Sequence, residues 1–197
     1  LADWAFNRDK LMQIILRETE RLKQITNDIR LFAKPSKTNA SQVDMTRAIE
    51  DVVTLFLNTL EWKTKIQIDT KLEKNLFLTI DPDHLKQILW NVLKNAAESI
   101  EKKGKITICL NASKNKRIYL TIRDSGKGID LEKAKHIFDP FYTTKPEGTG
   151  LGLSIIHRII DTYDGMIDFE SVPGKGTLFT MVFKTTIPFN SPAAKSV

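Results

Sequence analysis

The residues of this sequence best suited to chemistry are two asparagines, one aspartate and three clusters of glycine. Asn91 and Asn95 stand four apart in a stretch that reads as helix, so both carboxamides lie on one flank. A carboxamide oxygen is a neutral, hard donor that suits Mg2+ with phosphate oxygens completing the shell. By themselves, two asparagines on a helix are more often simply solvated. Asp124 ends a strand-like run and opens Asp124-Ser125-Gly126-Lys127-Gly128. An acid at a strand end can accept a hydrogen bond from an amino group where water is excluded. The two glycines would let the chain fold beneath a flat ring. Alone, the same residues make an ordinary Asp-Gly turn. They are not the dinucleotide fingerprint, which needs three spaced glycines opening a helix and an acid about 20 residues further on.

A third cluster, Gly148-Thr149-Gly150-Leu151-Gly152-Leu153, opens a helical stretch. Free backbone N–H groups and the helix dipole would face an anion there. Lys145, just upstream, adds a mobile positive charge. No Gly-Lys-Ser/Thr closes the run, so it is not a Walker A loop. Gly174-Lys175-Gly176-Thr177 reads by itself as a tight hairpin turn.

These residues need elements to position them. Residues 8–34 read as one long helix, with Ile15, Leu22 and Ile29 repeating every seven residues. Leu11, Ile25 and Phe32 fill a second seam that Glu18 interrupts. Pro35 ends this helix, and 35–41 reads as a linker. Met45–Leu60 is expected as a helix with Ile49, Val52, Val53, Phe56 and Leu60 on one face. Strands are expected at 65–72 and Leu76–Ile80. Asp81-Pro82 supplies an N-cap and first-turn proline for a helix to about Lys102, stopped by Gly104. Its stripe is Leu85, Ile88, Leu89, Val92, Leu93, Ala96 and Ile100. Hairpins are expected at Ile106–Leu110 with Ile118–Ile122, and at Met166–Ser171 with Thr177–Lys184. Short helices fall at 131–137 and 151–163, the latter capped near Gly165. Residues 139–150 form an irregular loop, and the tail after Pro188 frays. Both element types occur in runs, which predicts a mixed sheet covered by helices on one face.

Composition excludes whole classes. The chain has 197 residues, 41% apolar and 27% charged, enough to bury a core and stay soluble. That excludes disorder and collagen-like repeats. Cys109 is the only cysteine, so no internal disulfide forms and a reducing, cytoplasmic compartment is expected. No run of about 18 apolar residues exists to span a membrane. The sequence opens on Leu1 without a charged-then-apolar leader, which reads as a piece of a longer chain rather than a secreted precursor. The formal net charge of +6 fits a polyphosphate ligand, an acidic partner or weak nucleic-acid binding. Lys and Arg are spread without an aromatic-basic cluster, which counts against nucleic acid. Of nine glycines, eight lie between Gly126 and Gly176, placing a loop-built site in that third of the chain.

Taken in order, the clusters carry a resemblance. Asn91-Val-Leu-Lys-Asn-Ala96 resembles the N box of sensor histidine kinases. Asp124–Gly128 is similar to their first glycine box, Phe138-Asp-Pro-Phe141-Tyr-Thr-Thr-Lys145 to the F box, Gly148–Leu153 to the second glycine box and Gly174–Thr177 to the last. All five stand in family order, across residues 43–184. Residues 8–34, with Arg17-Glu18-Thr19-Glu20-Arg21-Leu22, resemble the second helix of the family's dimerisation hairpin. The resemblance implies an α+β, GHKL-type sandwich: a mixed, mostly antiparallel sheet under helices, preceded by one long helix. The implied division is 1–40 as dimerisation helix and linker, 41–187 as ATP-binding domain and 188–197 as tail.

The roles that the resemblance implies attach to single residues. Asn95 would hold Mg2+, and Asn91 would sit against the phosphates of ATP. Asp124 would bond the adenine amino group, and Gly126, Gly128 and Ile129 would shape the base pocket. Lys145 and the backbone of Gly148, Thr149, Gly150, Leu151 and Gly152 would hold the β- and γ-phosphates. Thr177 would support adenine through Asp124 or a water. Phe138 and Phe141 would anchor the lid or belong to the core. Related ATPases carry a glutamate where this chain has Asn91. Asparagine cannot take a proton from water at neutral pH, whereas phosphoryl transfer needs mainly positioning and charge neutralisation. Glu98, one turn beyond Asn95, reads as a solvated helix residue.

The implied reaction passes the γ-phosphoryl of Mg-ATP to a histidine, and then to an aspartate of a response-regulator receiver domain. The family's acceptor histidine lies on a first dimerisation helix that this sequence does not include. His84, His136 and His157 lack the His-Glu context of an acceptor and read as packing or surface residues. Homodimers through 8–34 are expected, with no nucleic-acid partner and no membrane contact by this chain. Three other readings remain beside the kinase: a GHKL ATPase using nucleotide as a clamp, an ATP-sensing module without catalysis, and nucleic-acid binding.

Overall fold

The computed structural model describes residues 2–33, 39–59, 62, 64–113, 115–145 and 148–184. Helix α1 spans Ala2–Ala33. Strand β1 (Ser41–Asp44) leads into α2 (Met45–Leu57), whose start is fixed by the Asp44 carboxylate accepting from the N–H groups of Thr46 and Arg47. Strands β2 (Ile66–Leu72) and β3 (Phe77–Ile80) follow. Helix α3 (Pro82–Ser99) begins as expected, with Asp81 accepting from the N–H of Asp83 and Pro82 in the first turn. Then come β4 (Gly104–Ser113), β5 (Arg117–Asp124), the single turn α4 (Leu131–Ala134), α5 (Gly152–Thr162), β6 (Met166–Val172) and β7 (Gly176–Lys184).

The main sheet has the order β2-β4-β5-β7-β6, and a second, two-stranded sheet joins β1 to β3. Among the described residues, only the β2–β4 pair is parallel. Strand alternation decides which face is dry. Ile106, Ile108 and Leu110 of β4, Ile118, Leu120 and Ile122 of β5, and Phe179, Met181 and Phe183 of β7 are buried. The intervening residues are partly or fully exposed. This is the pattern of an antiparallel sheet covered on one side. The covering layer is α2, α3 and α5, which supply Ile49, Val52 and Phe56, then Leu85, Ile88 and Leu89, then Ile155, Ile156 and Ile159. Phe56 stacks on Trp62 and meets Trp90 edge-on.

Several boundaries differ from expectation. Helix α3 stops at Ser99, and Ile100 takes an extended conformation; Gly104 opens β4 rather than capping the helix. A Cβ at Gly104 would lie 2.7 Å from both Ile100 Cγ2 and Ser125 Oγ, so the glycine is needed for close packing. Ser41–Asp44, of which Ser41 reads as linker and the rest carries no expected element, is a strand paired with β3. Four residues alternate too briefly to show a period. Helix α2 ends at Leu57 and α4 is one turn, both shorter than read. Residues 34–38, Leu60 and the tail from 185 lie outside the described residues.

Candidate functional site

The polar residues singled out in the sequence meet at one end of the covered face. Asp124 follows Ile118, Leu120 and Ile122 in the inward parity of β5, so its side chain enters the helix layer instead of water. It is 5% exposed. The Gly126 N–H donates to Asp124 Oδ1 at 2.7 Å, and the Ser99 hydroxyl lies 3.0 Å from the same oxygen. The Thr177 backbone N–H is a third donor. Burial pushes the Asp124 carboxyl above its ordinary value of 3.8, opposed by those three donors and by the Arg123 charge. An ionised carboxylate has about four acceptor sites, so this one keeps room for a further donor.

Two glycines permit this packing. A Cβ on Gly126 would stand 1.9 Å from Ser99 Oγ. Gly176, at φ +88, places its backbone so that a Cβ would meet Asp124 O at 2.0 Å. The last glycine cluster therefore seats β7 directly on the end of β5. The Thr177 hydroxyl lies 2.9 Å from Ser171 Oγ, which also accepts from the Ile129 N–H at 2.8 Å. Thr177 thus reaches Asp124 through its backbone, its hydroxyl meets Ser171 of β6, and Ser171 in turn ties β6 to the loop after Gly128.

Asn91 and Asn95 are half-buried on the flank of α3. The glycine loop comes to Asn91: a Cβ on Gly152 would lie 3.9 Å from Asn91 Cγ. Helix α5 starts at Gly152 behind Leu151, which offers no side-chain cap. Its first N–H groups are therefore available to an anion. Gly150, at φ +68, packs on the Phe141 backbone, which itself has φ 67. The Thr149 hydroxyl accepts from the Leu151 N–H at 3.3 Å.

Lys145 crosses from the loop to α3. Its Nζ donates to Asn95 Oδ1 at 3.0 Å and forms a short ion pair with Glu98. Glu98 is thus a partner of the loop lysine, against its reading as a solvated residue. Of the two aromatics expected to anchor the lid or belong to the core, Phe138 packs edge-on against Phe169, while Phe141 is exposed and not core. Among the histidines, His84 is buried with Nδ1 2.8 Å from Tyr163 Oη, His136 lies 2.7 Å from an Asp139 carboxylate oxygen, and His157 packs on Phe138.

Sequence reasoning missed two participants. Ser99 continues the four-residue step of Asn91 and Asn95, so its spacing could have shown it. Asp28 could not be found that way. It is buried on α1, and Thr149 Oγ1 donates to its Oδ2 at 3.1 Å.

Residues 80–187 match the family described as histidine kinase-, DNA gyrase B-, and HSP90-like ATPase. The chain belongs to that family, and its fold is the α+β sandwich of histidine kinase catalytic domains. Among relatives, it is 33% identical over 187 residues to the signal transduction histidine-protein kinase AtoS of Escherichia coli K12, covering 94% of this chain and 30% of AtoS. It is 33% identical over 171 residues to the sensor histidine kinase ZraS of Klebsiella oxytoca, covering 87% of this chain and 37% of ZraS. The chain therefore spans about a third of these proteins. The catalytic domain of histidine kinase ThkA superposes with a TM-score of 0.66 at 31% identity, over 74% of this chain and 95% of that one. ThkA in complex with the response regulator TrrA gives 0.70 at 28% identity, over 86% of this chain and 49% of ThkA. Within the family, the relatives and solved structures that it matches are histidine kinases, and the part matched is of the type of their catalytic domain. No described helix is long and apolar enough to cross a membrane.

Proposed function

We propose that this chain binds Mg2+-ATP between α3, the 139–152 loop and the end of β5, and delivers the γ-phosphoryl group to a histidine on another helix. The observation that carries the proposal is the buried Asp124 carboxylate, held by three donors and able to take one more, at the strand end. It orients an adenine by accepting from the exocyclic amine. Gly126, Gly128 and Ile129 line the base; Thr177 steadies Asp124. Asn91, Lys145 and the backbone of Gly148, Thr149, Gly150, Leu151 and Gly152 take the phosphates at the uncapped start of α5. Asn95 Oδ1 takes the metal; the Lys145 ammonium that donates to this oxygen supports a place for positive charge there. When bound, Mg2+ neutralises charge on the phosphate oxygens.

Asn91 favours transfer over hydrolysis. It cannot remove a proton from water, because a carboxamide is not a base at neutral pH. The nucleophile must then come from the acceptor. An imidazole nitrogen forms the new N–P bond as the bond to the β,γ-bridging oxygen breaks and ADP departs with that electron pair. Residues 1–40 serve as the second helix of a dimerisation hairpin, residues 41–187 as the ATP-binding domain and 188–197 as a tail. The exposed Leu11, Ile15, Leu22 and Ile29 support pairing with a second copy. The complex of ThkA with TrrA supports a receiver domain as the next acceptor.

Calorimetry with Mg2+ and β,γ-imido-ATP tests the binding. Heat of binding that Asp124→Ala or Asn95→Ala abolishes supports it; no heat with the unaltered chain overturns it. Adding a helical-hairpin peptide pair that carries an acceptor histidine tests the transfer. Acid-labile label on that histidine supports a kinase, and steady hydrolysis without label supports an ATPase clamp.

A further inference from the structure

We infer that Glu98 is the residue that couples nucleotide binding to a divalent cation, by exchanging the Lys145 ammonium for the metal; the inference rests on the nucleotide reading above. Asn95 and Glu98 are three apart on α3 and therefore neighbours on its surface. Their oxygens converge on one cation already, the Nζ of Lys145. Lys94 approaches Glu98 from its other side at 3.9 Å. The Glu98 side chain is the less exposed member of both pairs, at 26%. A carboxamide oxygen and a carboxylate oxygen side by side are hard donors, the set a divalent cation accepts.

The ammonium cannot serve two anions in two places. To reach a polyphosphate, Lys145 must leave Asn95 and Glu98. That departure uncovers a carboxylate beside an incoming polyanion, and like charges at such range repel. A divalent cation arriving with the nucleotide removes the conflict: it takes the oxygens Lys145 vacates and neutralises Glu98. Metal-free nucleotide meets the conflict in full. Glu98 thereby makes the metal-free complex poor. Because binding free energies are linked, the same carboxylate that penalises metal-free nucleotide must strengthen metal affinity once nucleotide is present.

The test is the ratio of the dissociation constant for β,γ-imido-ATP in EDTA to that in saturating Mg2+, measured by calorimetry on the unaltered chain, Glu98→Gln and Glu98→Asp. Melting curves confirm that each variant is folded. The expected result is a ratio at least tenfold smaller in Glu98→Gln, chiefly because binding in EDTA tightens, with Glu98→Asp retaining most of the ratio. An unchanged ratio in Glu98→Gln, or a larger one, overturns the coupling while leaving the nucleotide reading intact. Failure of the unaltered chain to bind with or without Mg2+ overturns both.

Discussion

Asp28 and Thr149 stand 121 residues apart in sequence, and the hydroxyl of Thr149 donates to the carboxylate of Asp28 at 3.1 Å. The long first helix is thus fastened to the glycine loop that opens α5. The same hydroxyl accepts from the Leu151 N–H, so one threonine joins helix, loop and helix start. The contact places a buried negative charge close to the N–H groups proposed for phosphate.

Removing that charge should favour an anion. Asp28→Ala is expected to tighten Mg2+-nucleotide binding roughly fivefold or more at low salt, since a like unit charge about 4 Å away costs about 1 kcal/mol in water and more where it is buried. The gain should shrink as salt is added. Calorimetry at two ionic strengths checks it. Weaker binding instead would mean that Asp28 serves the site by ordering the loop.

Asp124 sets a pH dependence with a definite sign. Burial raises its pKa in the folded chain above 3.8. Between the ordinary and the raised values the folded state holds more proton than the unfolded one, so the stability contribution of this group falls as pH rises through that window. At neutral pH the charged group is a stability cost retained for binding. Asp124→Asn should therefore melt higher at pH 7, yet lose discrimination between adenine and guanine nucleotides. Binding to the unaltered chain should weaken as pH falls through the raised value, where the acceptor becomes protonated. Competition between ATP and GTP analogues, followed as pH is lowered from neutral, measures both.

Gly126→Ala places a methyl group 1.9 Å from Ser99 Oγ, far inside van der Waals contact distance. Relief requires the end of α3 to move, and overpacking of this kind costs about 1–3 kcal/mol. Denaturant titration should show that loss together with weakened nucleotide binding. A stable, fully binding variant would show that the α3–β5 seam is looser than described.

Tyr163 should matter for stability alone. Its hydroxyl accepts from the Asp81 N–H at 3.1 Å and lies 2.8 Å from Nδ1 of the buried His84. Tyr163→Phe leaves both without that partner, at about 1–3 kcal/mol for each unsatisfied buried group. Thermal melting should register the loss, and calorimetry should find nucleotide affinity unchanged.

None of the chain's own histidines should accept phosphate. His84 is buried against Tyr163, His136 is paired with Asp139, and His157 lies against Phe138. Incubation with γ-labelled ATP followed by acid treatment should show no acid-labile label on these three positions. Label on any of them would contradict the expectation.

The sequence showed the covered sheet, the start of α3 and the order of the polar clusters because each rests on local pattern: alternation, an Asp-Pro cap, glycine spacing. It did not show where α3 ends, because Gly104 looks like a helix stop and is needed instead for packing against Ile100 and Ser125. Strand β1 was illegible because only pairing with β3 makes it a strand. In the site, Asp124 could be picked out as the last residue of a strand, but its burial follows from inward parity combined with the α3 seam. The partnership of Lys145 with Glu98 spans 47 residues, and Asp28 reaches across 121; no spacing rule covers either. Pairwise geometry of that range comes only from the fold.

The seating of Gly176 on Asp124 has a bearing on biosynthesis. Nearly every motif emerges from the ribosome before the closing hairpin, yet the purine end of the pocket is a corner between strands β5 and β7. A nascent chain halted ahead of Gly176 would display the N-box asparagines and the loop lysine without a floor for the base. Competence to hold nucleotide therefore arrives in one step, when the final strand docks.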